Sequence, residues 1–597
     1  MSDYNAPLTD MKFALRELAG LDMVAQLPGY EDCDSLADPI LDQAAKFASQ
    51  VLAPLNVIGD RCGVQLADGV VKTAPGWIGA YKQFVEAGWN SLTGAPEFGG
   101  QGQPRLVSTL VEEMWDSANV SFALCPLLTH GAIAAIELRG STALKQMCLP
   151  KMVSGEWTGT MNLTEPQAGS DLSAIRTRAE LHSDGTYRIF GQKIFITYGD
   201  HDMTDNVIHL VLARAVGAPE GVKGISLFVV PKYLIEADGS RGARNDVHCI
   251  SLEHKLGIHA SPTAVMAYGN HGGATGYLVG TENHGLETMF IMMNAARFAV
   301  GLQGIGLSER SYQRALQYAK SRAQGVELGD QKAGRVAIIR HADVRRMLML
   351  MKSQTEAMRA LACVVGAASD VAQRHSDPNV RREQQSFGDL MIPVVKGWST
   401  ETAIDIASLG IQIHGGLGFI EGTGAAQYWR DARITTIYEG TTGIQANDLV
   451  GRKIARDSGR AVRLLIAVMR EVEVQLSSDS DAELVAIRRS YAAGLSSLES
   501  AVDYLIANYA SHGQQASVGA VPFLQLLGVV TGGWQMARAA LIAKRRLAEQ
   551  AADAPFYRAK IITARFYADH VLSRSQGLAY SVIHGAESAL MIPDDQL

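Results

Sequence analysis

A mainly helical fold with an inserted β domain follows from three features of the sequence. Apolar residues recur at three- and four-residue intervals toward both ends of the chain. Short β-branched or alternating runs occupy about residues 157 to 284, and glycine-containing turns divide those runs. At 597 residues the chain is too long for one hydrophobic core, so several domains are expected. With 47% hydrophobic and 19% charged residues it has the composition of an ordinary folded protein.

Residues 1–36 read as an N-terminal extension packed on the first helical domain. That domain spans residues 37–156, with helical periodicity from Ile40 to Leu52 and from Val107 to Trp115, and a loop from Pro96 to Pro104. Residues 157–284 form the middle β domain, with runs at Tyr187 to Phe190, Lys193 to Thr197, Val207 to Leu212 and Ile225 to Val230. Helical periodicity returns over 285–456, interrupted by a glycine-rich stretch after His414. A further helical domain fills 457–597, where acidic and basic residues balance.

The charge pattern narrows the function. A net charge of -7 gives no dense positive face for nucleic acid. The start, Met1 to Asn5, lacks the basic and apolar blocks of a secretory signal, and the most apolar stretch, Phe122 to Ile136, contains Pro126 and His130 and is shorter than a bilayer requires. A cytoplasmic protein without a transmembrane segment is expected. Cys33, Cys62, Cys125, Cys148, Cys249 and Cys363 have no paired spacing, which argues against a disulfide framework or a zinc site, so no metal is expected.

One carboxylate stands out. The segment Arg433 to Gln445 reads RITTIYEGTTGIQ, and Glu439 sits among apolar residues that can remove it from bulk water, while Gly440 lets a ligand approach the backbone. That suits proton abstraction beside a carbonyl; a turn ahead of a threonine-capped helix gives the same string. Met161 to Asp171, reading MNLTEPQAGSD, carries hydroxyls at Thr164 and Ser170 on a loop whose amides can meet a flavin edge or a pyrophosphate, or form a plain strand-to-loop turn.

Phe195 and Thr197 end a strand and by alternation share a face, either against a flavin or as a cross-strand core pair. In the helix after Gly285, Arg297 falls inside an apolar stripe, where it either closes a buried salt bridge or meets an anionic or polar ligand. Arg322 and Gln324 come at the helix end. Gln412 to Gly418 is a second loop of low bulk, suited to a phosphate-bearing cofactor, with His414 read as structural.

Taken in chain order, TEPQAGSD from Thr164, Phe195 to Thr197, Arg322 with Gln324, QIHGG from Gln412 and IYEGT from Ile437 resemble the acyl-CoA dehydrogenase family over about residues 37–455. The added termini resemble its long bacterial branch, which includes long-chain acyl-CoA and methylmercaptopropionyl-CoA dehydrogenases. The resemblance implies a helical domain, a β-barrel-like domain and a four-helix domain around FAD. It implies oxidation of an acyl-CoA to a trans-2-enoyl-CoA, with electrons passed to an electron-transfer flavoprotein.

Residue by residue, the resemblance makes Glu439 the base, its pKa raised by desolvation from about 4.3 toward roughly 6–7. It places Met161, Leu163, Thr164, Phe195, Ile196, Thr197, Thr441 and Gly443 along the flavin. Arg322, Gln324, Gln412 and Gly416 would reach a neighbouring subunit's FAD, and Ser170, Asn294, Arg297 and Gly440 would line the acyl-CoA path. The position at which some members carry the base is Ala296 here, which cannot serve. Phe195 stands for the usual Trp, Met161 for a common aromatic, Asn294 for a common Asp and Gly325 for the usual Phe. In long members the extra domain fills the space of a second dimer, so a homodimer is expected. An acyl-CoA oxidase using oxygen, and a non-catalytic flavin-fold scaffold or DNA-protecting protein, are the alternatives.

Overall fold

The structure is a computed structural model that describes residues 4–329 and 334–597. It is mainly helical with one large sheet and an additional helical region at the C-terminus. The chain divides into two compact units. One comprises Lys46–Gln103 and Ala118–Ala299; the other takes the chain up to Ala45, Pro104–Ser117 and Val300–Leu597.

The first unit is built on the sheet. Among the described residues the strands are β1 (Gln65–Ala67), β2 (Val70–Lys72), β3 (Trp157–Asn162), β4 (Arg178–Leu181), β5 (Tyr187–Thr197), β6 (Asn206–Ala215), β7 (Ile225–Pro231), β8 (Tyr233–Ile235), β9 (Arg241–Arg244), β10 (Val247–Leu252), β11 (Thr263–Tyr268) and β12 (Ala274–Leu278). The main sheet runs β10-β11-β5-β12-β7-β6-β3, with β4 against β5 and β6; β3 lies parallel to β6. β6 and β7 are buried almost throughout, which is why they read as unbroken apolar runs. Ile208, Leu210 and Leu212 pack with Trp157 and the helical residues Met152 and Met289, while Val211, Ala213, Phe228 and Val230 pack on the other face with Ile189 and Met266.

Three local expectations change. The runs at Tyr187 and Lys193 are one strand, because Gly191 continues the ladder opposite Tyr268 instead of ending it. The helical N-terminal region contains the β1–β2 hairpin, turned by Asp68 and Gly69, both at positive φ. The apolar stretch at Phe122 lies inside a helix of 35 residues, Arg105–Arg139, with Pro126 within it and a non-helical Asn119. This helix and two others, Gly285–Ser321 and Ala520–Ala548, are long and apolar enough to cross a membrane, yet 72% to 83% of their most apolar windows is buried inside the protein.

The second unit is helical. Ala342–Arg374 and Pro378–His414 are its long antiparallel pair, and Ala520–Ala548 packs on both. Glycines make the last contact close: a Cβ at Gly528 would stand 2.2 Å from Trp398, and one at Gly532 2.6 Å from the same ring. Around Arg359 and Glu356 of the helix Ala342–Arg374 lies a buried charge cluster. Arg359 donates to Glu113 (2.5 Å), Glu309 (2.7 Å) and Asp10 (2.5 Å), and Lys560 donates to Asp10 and to Glu356 (2.8 Å). All six cysteines are free thiols, and only Cys62 is exposed.

Candidate active site

In the first unit, Met161 lies at the end of β3, and Leu163 and Thr164 come directly after the strand. Their backbone is fixed by a buried ion pair that sequence reasoning missed. Lys193 Nζ donates to the Leu163 carbonyl (3.0 Å) and to Glu165 Oε1 (2.8 Å), and the Ile194 amide donates to the Thr164 carbonyl (2.9 Å). Glu165 also accepts from Thr177 Oγ1 (2.6 Å) and from the amides of Arg176 (2.7 Å) and Thr177 (3.1 Å). Burial opposes both charges. The donors converging on Glu165 outweigh it and hold that carboxyl down to about 2, while burial brings Lys193 down to about 8, so both are ionised at neutral pH. Nothing in a lone lysine on an apolar strand signals such a partner. Beyond the pair, Ser170 is exposed and Gly169 faces open space.

Phe195 is not placed by regular alternation. The register of β5 against β11 shifts between Ala264 and Met266, and Phe195 stands in that bulge at φ 60° with 59% of its surface exposed. Ile196 is buried beneath it. The Thr197 carbonyl accepts from Thr160 Oγ1 (2.6 Å), and the next residue, Tyr198, donates to the Ser121 carbonyl (2.7 Å), which anchors the end of the strand. An aromatic ring held outward at a positive φ costs strain and exposed apolar area, and it fits a planar aromatic ligand laid against it. Within the helix Gly285–Ser321, Asn294 and Arg297 come together: Arg297 is buried and donates to Asn294 Oδ1 at 3.4 Å, and Ala296 beside it is buried.

In the second unit, Glu439 is half-buried and its backbone is left-handed, φ 56°, with Gly440 after it at φ 87°. Gln445 Nε2 donates to the Glu439 carbonyl (3.0 Å), and Lys396, fully buried, donates from Nζ to the Gly440 carbonyl (2.8 Å). Because a trans peptide points its N–H opposite its C=O, these inward carbonyls turn the amides of Gly440 and Thr441 the other way. A Cβ at Gly440 would lie 2.7 Å from Gln445 Nε2, so glycine is required there. Thr441 caps the helix Thr442–Asn447 by accepting from the Ile444 amide (3.2 Å), and Gly443 lies in its first turn. The preceding Tyr438 donates to Gln303 Oε1; burial, with Asp116, Glu439 and Asp431 nearby, pushes its hydroxyl far above the usual range.

Arg322 and Gln324 leave the end of the helix Gly285–Ser321, and Gln412 and Gly416 flank the end of Pro378–His414. These two helix ends meet where Tyr318 stacks on His414, with ring centroids 4.4 Å apart. His414 is buried, and its Nδ1 bonds the Gly410 carbonyl at 2.7 Å. Arg322, Gln324, Gln412 and Gly416 are all exposed, beside Leu417, Ile420 and an 85% exposed Phe419.

Models of the acyl-CoA dehydrogenase N-terminal domain, middle domain and C-terminal domain match residues 38–156, 160–271 and 283–454, and an acetyl-CoA dehydrogenase C-terminal-like model matches 465–593. The chain belongs to the acyl-CoA dehydrogenase family. It is 49% identical over 576 residues to the 3-methylmercaptopropionyl-CoA dehydrogenase of Ruegeria pomeroyi, covering 95% of this chain and 96% of that one. It is 34% identical to a butyryl-CoA dehydrogenase of Syntrophomonas wolfei, covering 99% of both. The fold matches an acyl-CoA dehydrogenase from Bacillus anthracis complexed with FAD, with a TM-score of 0.74 at 20% identity over 98% of this chain and 93% of that one.

This acyl-CoA dehydrogenase is thus an FAD-dependent oxidoreductase acting on acyl-CoA. The outward ring of Phe195, the anchored Thr197 and the open Thr164–Ser170 loop fit an isoalloxazine edge.

Proposed function

We propose that the protein dehydrogenates a short acyl-CoA thioester between its α and β carbons, with Glu439 as the base, and passes the electrons to an electron-transfer flavoprotein. The reading rests on the conformation of Glu439: a carboxylate at φ 56°, pinned through its own carbonyl and the next by Gln445 and the buried Lys396. Strained backbone that neighbours over-determine fits a group whose position is part of the chemistry. The named activities of the relatives, on 3-methylmercaptopropionyl-CoA and butyryl-CoA, support a short acyl chain and make the sulfur-containing one the first candidate.

In this reading Glu439 takes the α-proton, and the bonding pair it releases becomes the new C=C bond as hydride leaves the β-carbon. Bound FAD would supply the hydride acceptor for this step. Arg297 and Asn294 orient the acyl-CoA, Ser170 and Gly440 line its path, and the backbone at Glu439 positions the carboxylate. Met161, Leu163, Thr164, Phe195, Ile196, Thr197, Thr441 and Gly443 hold the flavin. Arg322, Gln324, Gln412 and Gly416 contact the FAD of a second copy in a cytoplasmic homodimer. Their exposure beside Phe419 supports that role, since an apolar side chain 85% exposed next to a loop of low bulk suits burial by a partner.

The test is anaerobic titration of the flavin absorbance with a panel that includes 3-methylmercaptopropionyl-CoA, butyryl-CoA and longer saturated acyl-CoAs. Bleaching by the short members, with Glu439→Gln retaining FAD but slower by at least about 100-fold, is the expected result. A flavin that no acyl-CoA reduces would sink the proposal, and rapid oxygen uptake without a flavoprotein acceptor would replace it with an oxidase.

A further inference from the structure

Asp246, His248 and His271 stand together at the edge of the sheet, apart from every residue assigned above. β10 is an edge strand; Asp246 directly precedes it, His248 lies within it, and His271 sits in the turn that joins β11 to β12. Asp246 Oδ1 is 3.1 Å from His271 Nδ1 and 3.4 Å from His248 Nε2, and one ligand atom from each of the three residues lies within 4.8 Å of the others. With zinc–nitrogen and zinc–oxygen bonds of about 2.0–2.2 Å, neighbouring ligands of a tetrahedral ion stand roughly 3.3–3.5 Å apart. Two edges of such a tetrahedron are already close to that length, and the exposed His271, with 76% of its side chain accessible, is free to close the third.

The carboxylate is held for this geometry from the opposite side. Its second oxygen, Oδ2, accepts from the amides of His271 (2.6 Å) and Gly273 (3.3 Å), and its own backbone amide donates to Asn245 Oδ1 (2.9 Å). Asn245 is itself buried and donates to the carbonyls of Pro231 and Thr275, both at 2.9 Å. Asp246 is therefore fixed in place, as the supporting partners of metal ligands are.

We propose that Asp246 Oδ1, His248 Nε2 and His271 Nδ1 form a divalent transition-metal site of zinc type, with a fourth position open to solvent. Two imidazoles and one carboxylate select zinc or a similar first-row ion over calcium or magnesium, which take oxygen ligands. On binding, His271 takes the tautomer with its proton on the solvent-facing Nε2, which leaves Nδ1 to the ion in place of its contact with Asp246. The ion ties the edge strand β10 to the β11–β12 turn. Thr263, opposite Thr197, lies five residues along β11 from Tyr268, about 17 Å at strand rise, so the ion is a staple and takes no part in the oxidation.

The test is calorimetric titration of Zn2+ into EDTA-treated, FAD-loaded enzyme, alongside His248→Ala/His271→Ala and Asp246→Asn. One ion per chain in the wild type, affinity weakened by at least about tenfold in both variants, and a melting temperature that rises with Zn2+ only in the wild type are expected. His271 is exposed and His248 half-buried, and Asp246→Asn keeps an oxygen for the amides of His271 and Gly273, so intact flavin absorbance and unchanged acyl-CoA turnover establish that the variants fold. Zinc binding absent from the wild type, or equally tight in the double variant because the ion sits elsewhere, for example on Cys62, would overturn the proposal.

Discussion

At Glu439 the placement of the carboxylate depends on two residues that grip the backbone around it. Lys396 and Gln445 hold backbone carbonyls, so removing either leaves the base chemically intact and free to drift. Lys396→Met is expected to lower kcat by about 10–100-fold while KM for the acyl-CoA changes little, because misplacement of a reacting group by about 1 Å costs that much. A larger change in KM than in kcat would mean that Lys396 serves binding instead. Glu439 itself was legible from its setting in the string Ile437 to Thr441. Lys396 was not: a lysine in the apolar helix Pro378–His414 carries no local signal, and its partner is 44 residues away. The same holds for Lys193 and Glu165, whose pairing only the sheet brings about.

At the scale of elements, the helix Pro378–His414 links the C-terminal region to the base. Lys396 on it holds the Gly440 carbonyl, and Gly397 and Trp398, the next two residues, receive Leu524 and Gly528 of the helix Ala520–Ala548. Gly528→Ala puts a methyl 2.2 Å from Trp398, so the helices must separate. A loss of about 1–3 kcal/mol in stability is expected, accompanied by slower turnover; a variant that melts early but turns over normally would show that the two helices are uncoupled at the site. Helical periodicity and the strand runs were readable because each element's burial pattern is local. The bulge at Phe195 was not, since a phenylalanine at positive φ contradicts its own local preference and persists only through its neighbours. The full length of Arg105–Arg139 was hidden too, because its first amides are capped by Asp370 from a distant helix.

Over the whole molecule, buried ionisable groups set a pH response of mixed sign. His201 and His209 are fully buried, and burial, with Lys232 nearby, brings each down to about 3. His201 receives the Met203 amide at Nδ1 and faces Thr158 Oγ1 from Nε2, an arrangement for a neutral ring. Between about pH 6.5 and 4.5 the unfolded chain protonates both while the folded one does not, so stability falls with pH by up to about 1.4 kcal/mol per unit for each. In the second unit, burial raises Glu113 to about 7 and Asp370 to about 6, so their folded forms bind protons more tightly and gain stability over the same window. His209→Leu should therefore flatten the fall in melting temperature from pH 6.5 to 4.5, and an unchanged slope would remove His209 from this account. Arg359→Met should cost about 3–5 kcal/mol by denaturant unfolding, because Glu113, Glu309 and Asp10 lose their shared cation. The thiols offer a practical handle. Burial raises the pKa of Cys33, Cys125, Cys148, Cys249 and Cys363, which leaves Cys62, at the end of the helix Ala53–Cys62, as the one accessible nucleophile of its kind. A maleimide dye added at neutral pH should label the native enzyme once per chain, giving a built-in fluorescent reporter for tracking ligand binding without any engineered residue.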